Sequence, residues 1–330
     1  MRVTNRMMAN NYLRDMGKNL KNLDTINNQL ATGKAINKVS DDPFRAARSM
    51  QLTSDMNTNE QYNANIKDTI NWLDTTDDSL FQVTNVLQRV RELMVSSGNA
   101  AYGSDQSKAI NEEIKERVSE LTQVLNTNFD GKYIFGGTKV SSKPVDAKKN
   151  DVTGNYDISI VDQEGTKLDL NSSDLYTQNK LDNINGTLSV EISQSVTMKY
   201  NVNAMEVLNF KNEKGQNVNV MNLLSDIQNN LVSNNSFDRS KVIGENLASI
   251  DDVLTNVLKL RSEVGAKQNR MESAQTKNED ENFNMTNILS KTEDIDVTEK
   301  TIQFSMAQTT YQAALQVSAQ VLPKTILDYL

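Results

Sequence analysis

The chain has 330 residues, 37% hydrophobic and 24% charged, with a formal net charge of −8 and neither cysteine nor histidine. That acidity argues against nucleic acid as a general partner. The two missing residue types exclude disulfides, thiolate metal sites, a Cys nucleophile and every histidine-based catalytic arrangement. Only 3 Pro and 13 Gly interrupt the chain, and aromatics make up 5%. Such a composition suits long helices, each burying a narrow apolar seam.

The opening "MRVTNRMMANNYLRDM" has no apolar stretch of the secretory kind. No apolar run approaches the length of a membrane span. The expectation is a soluble chain with no membrane partner that, if exported, uses no ordinary cleaved signal peptide. Residues 1–40 carry seven Lys/Arg against two Asp, whereas residues 290–330 carry three Lys against five Asp/Glu. Opposite signs favour association of the two ends, although exposed charges are individually weak.

The first predicted helix covers Thr4 to Thr32. Leu13, Leu20 and Asn27 are seven apart, and Met16, Leu23 and Leu30 repeat the period three residues on. This is an a/d seam with one polar a position. An amphipathic helix on its own domain's core would show the same pattern, so spacing leaves both readings open. Gly33 ends the helix, because glycine takes the left-handed conformation cheaply.

The stretch "KVSDDPFRAARSM" then breaks the pattern. Ser40 and Asp41 are turn formers, Asp42 is the expected N-cap of the next helix, and Pro43 its first residue. Ile66, Leu73, Leu80, Leu87 and Met94 form a strict sevenfold row, with Val83 and Val90 beside it, until Gly98 and Gly103. A third helix begins after Ser104, with Ile110, Ile114, Val118, Leu121 and Leu125 on one face.

The texture changes at "NTNFDGKYIFGGTKVSSKPV", where Asp130-Gly131 and Gly136-Gly137 are turn signals around a short strand-like run. From about 140 to 240 the period is closer to two, with one or two helical turns expected near "VMNLLSDIQNNLVSN". Helical periodicity resumes near Asp238 with Ile243, Ile250, Val257, Val264 and Met271. The last segment carries Ile288, Ile295 and Ile302, then Phe304, Tyr311, Leu315 and Leu322, with Pro323 kinking its end. The predicted fold is mainly α with a β-rich insert, its N- and C-terminal segments forming a long antiparallel helical bundle or coiled coil.

Candidate chemistry is sparse. Residues 126–137 imitate a calcium loop, but Gly137 stands where the bidentate Glu is needed. A turn leading into a strand is the better reading. Asp41 and Asp42 read as turn and cap rather than an acid/base pair. Arg45 and Arg48 face solvent or a partner more readily than an anion, and "KTEDIDVTEK" reads as a solvated helix start supported by Glu293 and Asp294. No catalytic residue, metal site or cofactor is expected.

"RVTNRMMANNYLRDM", "QLATGKAINKVSDDPFRAARSM" and the C-terminal "SKTEDIDVTEKTIQFSMAQTTYQAALQVSAQVLPKTILDYL" resemble the flagellin superfamily. The break Val39-Ser40-Asp41-Asp42-Pro43 and "YIFGGTKVSSKPV" are more similar to its hook–filament junction members than to its bulk filament subunits. The resemblance covers about residues 1–140 and 240–330.

It implies a terminal coiled-coil layer (1–42 and 288–330), a helical rod domain (43–139 and 240–287) and an inserted outer domain (140–239). It further implies type III flagellar export with a cytoplasmic chaperone, an extracellular place in the flagellum, and no enzymatic activity. The implied partners are further copies of the chain, a second junction protein and flagellin. On that view Leu13, Met16, Leu20, Leu23 and Leu30, with Phe304, Tyr311, Leu315 and Leu322, form the assembly seam. Gly33, Ser40, Asp41, Asp42 and Pro43 form the joint between layers.

Overall fold

The structure, a computed structural model, describes residues 5–98, 104–150, 154–170, 172, 174–233 and 240–321. The elements in chain order are α1 (Asn5–Thr32), α2 (Pro43–Ser97), α3 (Ser104–Leu125), β1 (Asn128–Phe129), β2 (Lys132–Tyr133), β3 (Val145–Lys149) and β4 (Tyr156–Ile160). Then follow α4 (Leu175–Asn185), β5 (Ser189–Ser193), β6 (Val196–Lys199), α5 (Ala204–Leu208), β7 (Asn209–Lys211), β8 (Asn217–Asn219) and α6 (Val220–Val232). A π turn (Val242–Asn246) leads into α7 (Leu247–Glu293), and α8 (Val297–Val321) closes the described chain. The chain divides into two compact units: Met1–Glu60 with Glu279–Leu330, and Gln61–Asn278.

In the unit of residues 61–278, the sevenfold rows become the core. Ile66, Leu73, Leu80, Leu87 and Met94 of α2 are fully buried, as are Ile250, Val257, Val264 and Met271 of α7. Ile114, Val118, Leu121 and Leu125 add the third face. Residues 44–97 contain no Gly or Pro, so nothing local stops α2 and it runs unbroken from Pro43. Two ion pairs follow the antiparallel register of α2 and α7. Arg261 forks onto Asp77 (2.9 and 3.1 Å), and Arg91 meets Asp251 at 2.6 Å.

One position of the predicted α7 row moves. Ile243 is exposed, and Val242 takes the buried place. The π turn adds one residue to the helical repeat, so the next buried position before Ile250 is eight residues back rather than seven.

Among the described residues there are four sheets, each a two-stranded antiparallel hairpin. Asp130 and Gly131 both have positive φ (50° and 75°), the backbone of the tight turn that an Asp-Gly pair favours between β1 and β2. The insert holds more helix than its alternation suggests. "VMNLLSDIQNNLV" is a 13-residue helix, capped by Asn219, whose side chain accepts from the Asn222 amide at 3.1 Å. Its apolar residues at 220, 223, 224, 227 and 231 recur at helical spacing and are buried. The α4 helix, capped by Asp174, carried no such signal.

The two glycines of "YIFGG" are required by close packing. A Cβ at Gly137 would stand 2.1 Å from the Ile184 carbonyl oxygen, and one at Gly136 would stand 2.3 Å from that of Lys139. Next to them, Ile134 and Phe135 are fully buried, and Thr138 donates its amide to Asn183 at 2.9 Å. The run docks the β1–β2 hairpin onto the end of α4.

Candidate assembly surface and joint

In the unit of residues 1–60 with 279–330, α1 pairs antiparallel with α8. The Tyr12 hydroxyl donates to the Ala314 carbonyl, and Ile295 N donates to the Gly33 carbonyl at 3.1 Å. The side of α1 turned from solvent consists of Ala9, Met16, Leu23 and Leu30 in one row and Tyr12, Asn19 and Ile26 in the next. Spacing alternates between three and four, which is a heptad seam. Ile26 lies deepest at 6% exposure. On α8, Phe304, Tyr311 and Ser318 alternate with Ala307 and Ala314 in the same way.

The predicted seam residues therefore separate into two sets. Met16, Leu23, Leu30, Phe304 and Tyr311 are half-buried on the paired side. Leu13, Leu20 and Leu315 are 53%, 50% and 43% exposed. Asn27, the polar member of the Leu13 row, is exposed as well. Leu322 lies outside the described residues, as does Pro323. Ile302, Met306 and Val317 are further exposed apolar residues of α8, and Phe44, Met50 and Phe283 are exposed on α2 and α7. These exposed apolar side chains are the candidates for an interaction surface.

The joint follows the expected local rules. Gly33 has φ 72° and closes α1 through its amide on the Gln29 carbonyl at 2.9 Å. Ser40 lies in the turn, and Asp41 accepts the amides of Lys38 (2.9 Å) and Asn37 (3.2 Å). Asp42 caps α2 by accepting from Phe44 and Arg45, each at 3.1 Å, and Pro43 is the first helical residue. Arg45 turns back toward Asp42 at 3.6 Å.

A second break faces the first, and the sequence pattern did not reveal their pairing. "KTEDIDVTEK" is not one helix start: α7 ends at Glu293, and α8 is capped by Asp296, which accepts from Thr298 at 2.9 Å and Glu299 at 3.1 Å. Lys34 and Asp294 form an antiparallel bridge, and the Ala35 amide donates to the Glu293 carbonyl at 2.5 Å. The Glu293 carboxylate accepts from both the Lys34 ammonium and the Ser49 hydroxyl. One acidic side chain thus ties the end of α7 to the linker after α1 and to the start of α2. The signal for Asp296 was its position three residues before Glu299, a capping spacing. Nothing local distinguished Glu293.

The calcium-like loop has structural duties instead. Asn126 clamps Val145 through both amide atoms (2.7 and 3.3 Å), and Asp130 and Gly131 make the hairpin turn. Among the described residues there is no cluster of metal-ligating side chains, and no helix is long and apolar enough to cross a membrane. The charged pair of Asp162 and Lys180 is structural too. Asp162 is held at about 2, first by the hydrogen bond from Lys180 (2.5 Å) and then by the Thr166 and Glu164 amides. The same pairing raises Lys180, while burial lowers Lys139, whose ammonium donates to the Val161 carbonyl at 2.7 Å.

Long paired helices with a regular outward apolar row define a helical structural protein. The comparisons with known proteins agree. The bacterial flagellin N-terminal helical region matches residues 3–140, and the bacterial flagellin C-terminal helical region matches residues 247–330. Flagellin of Clostridium tyrobutyricum is 31% identical over 152 residues, 46% of this chain and 40% of that protein, so this match spans less than half of that relative. Flagellin of Bacillus subtilis (strain 168) is 23% identical over 343 residues and the full length of both.

The fold is similar to that of flagellar hook-associated protein-3 from Legionella pneumophila, with a TM-score of 0.58 and 15% identity over 73% of this chain and 98% of that one. The flagellar junction protein FlgL from the same organism gives 0.53 and 16% over 76% and 100%. This chain belongs to the flagellin family. It is a structural component of the flagellum and not an enzyme.

Proposed function

We propose that this chain joins the hook side of the flagellum to the filament. The observation that carries this reading is the fold likeness to hook-associated and junction proteins, which takes in 98% and 100% of two such chains. The Ser40-Asp41-Asp42-Pro43 joint supports it. A cytoplasmic chaperone holds the subunit until it is exported through the flagellar type III apparatus, and outside the cell it takes its place between a second junction protein and flagellin.

Assembly proceeds by burial of the rows that the lone subunit leaves open. Leu13, Leu20 and Leu315 turn outward and are covered by neighbouring copies, while Met16, Leu23, Leu30, Phe304 and Tyr311 hold the subunit's own helix pair. In this reading residues 1–42 and 288–330 form the inner layer, 43–139 and 240–287 the rod, and 140–239 the outward domain. Gly33, Ser40, Asp41, Asp42 and Pro43 set the angle between layers.

The second reading is flagellin itself, the bulk filament subunit, favoured by the full-length match to the Bacillus subtilis protein. A deletion strain separates the two. Loss of a junction protein leaves hooks without filaments and releases flagellin to the medium. Normal filaments on the deletion strain reject both readings; missing filaments without released flagellin favour the second.

A further inference from the structure

A cleft of about 700 Å³ opens in the unit of residues 61–278, within the size range of small-molecule sites. Its aromatic lining is Trp72 of α2, Phe129 of β1 and Tyr200, which follows β6. Phe129 and Tyr200 each stand perpendicular to Trp72, at 86° and 89°, with ring centroids 6.1 and 5.9 Å away. Three charged residues line it too: Asp68, one helical turn before Trp72, and Asp130 and Lys132 from the β1–β2 hairpin.

None of these three charged side chains has a hydrogen bond or ion pair among the described residues, and the buried Trp72 Nε1 has no acceptor. Farther along α2 the pattern differs, with Asp77, Arg89 and Arg91 all paired. Unpaired charged groups beside an aromatic surface narrow the ligand chemistry. An organic cation suits the rings and carboxylates but is opposed by Lys132, and an anion is opposed by two carboxylates. A hydrocarbon would desolvate all three charges without return.

We propose that this cleft binds a neutral carbohydrate of one or two rings. The apolar C–H face of a sugar packs on the aromatic residues. Its hydroxyls donate to Asp68 and Asp130 and accept from Lys132, so each charged group gains a partner without a net charge entering the cleft. Sugar binding in this cleft is the same whether the subunit sits at the junction or in the filament.

Trp72 is the chain's one tryptophan, so its emission reports on this cleft in the full chain. The probes are cellobiose and N,N′-diacetylchitobiose, with tetramethylammonium chloride and sodium sulfate for comparison. The expected result is a saturable change in emission with at least one disaccharide, with a Kd on the order of millimolar. It persists in about 0.5 M salt because the ligand is neutral.

The variant Asp68→Ala/Asp130→Asn alters exposed side chains and keeps a residue tolerant of the positive φ at position 130. It weakens binding at least about tenfold while the circular dichroism spectrum is unchanged. The proposal is overturned by silence of both disaccharides, by equal affinity in the variant, or by a response to tetramethylammonium or sulfate alone.

Discussion

Ile295 N donates to the Gly33 carbonyl at 3.1 Å, so the residue that ends α1 is hydrogen-bonded to the segment that opens α8. Beside it, Glu293 holds Lys34 and Ser49. The two breaks of the terminal helices are therefore one structural joint rather than two independent turns.

Glu293→Ala is expected to loosen this joint and little else. It leaves the Ser49 hydroxyl, on a buried residue, without its acceptor, a loss of roughly 1–3 kcal/mol felt locally. Native-state hydrogen exchange should then be at least about tenfold faster at the Ala35 and Ile295 amides, with unchanged protection on α2 and α7 between residues 61 and 278. Uniform acceleration across both units would show that Glu293 acts on global stability instead. Asp42→Ala with Pro43→Ala removes the cap on the other side, costs about 1 kcal/mol, and is expected to impair filament attachment; normal filaments would reduce the motif to a local cap.

The inward and outward rows of the terminal helices should respond to different assays. Ile26→Ala opens a hole in the narrow α1/α8 seam and is expected to lower helicity in the isolated subunit, at a cost of about 2 kcal/mol. Leu13→Ala/Leu20→Ala should leave the subunit's circular dichroism alone and weaken its polymerisation. The seam is narrow enough that the terminal helices of the lone subunit are expected to be frayed. Equal helicity in the monomer and in an assembled ring would contradict that expectation.

Gly137 combines positive φ (63°) with a neighbouring carbonyl at 2.1 Å from any added Cβ. Gly137→Ala is thus expected to cost more than about 2 kcal/mol in urea unfolding. Gly131 also has positive φ (75°) but has open space around it. Gly131→Asn should cost well under about 1 kcal/mol, since Asn tolerates that conformation. Similar midpoints for the two variants would mean that the YIFGG run is not tightly docked on α4.

Asp162 makes stability fall with acid in a defined window. Its folded-state value is about 2, below the ordinary carboxylate value of roughly 4. The contribution is therefore complete above the ordinary value and fades as pH falls through it toward about 2. Asp162→Asn removes this slope and also weakens the tie to Lys180. Between pH about 7 and about 3 the urea midpoint of the native chain should drop further than that of the variant. Parallel drops would place the acid sensitivity elsewhere.

The sequence by itself determined the features that depend on neighbours along the chain. Rows of identical period marked the buried faces of α2 and α7, because seven residues make nearly two turns of helix. Asp42-Pro43 announced a helix start and Asp130-Gly131 a hairpin, because those residues accept the required backbone geometry at little cost.

Tertiary structure decided the rest. In α1 the Leu13 row and the Met16 row have the same period, so spacing alone cannot choose between them. The position of α8 turns Met16, Leu23 and Ile26 inward and leaves Leu13 and Leu20 outside. A π turn, which no single residue type announces, exchanges Val242 for Ile243. Glu293 gained its part only when residues far away in sequence, Lys34 and Ser49, came beside it. Local periodicity belongs to the chain, but which face finds a partner is a long-range choice, set by what packs against it.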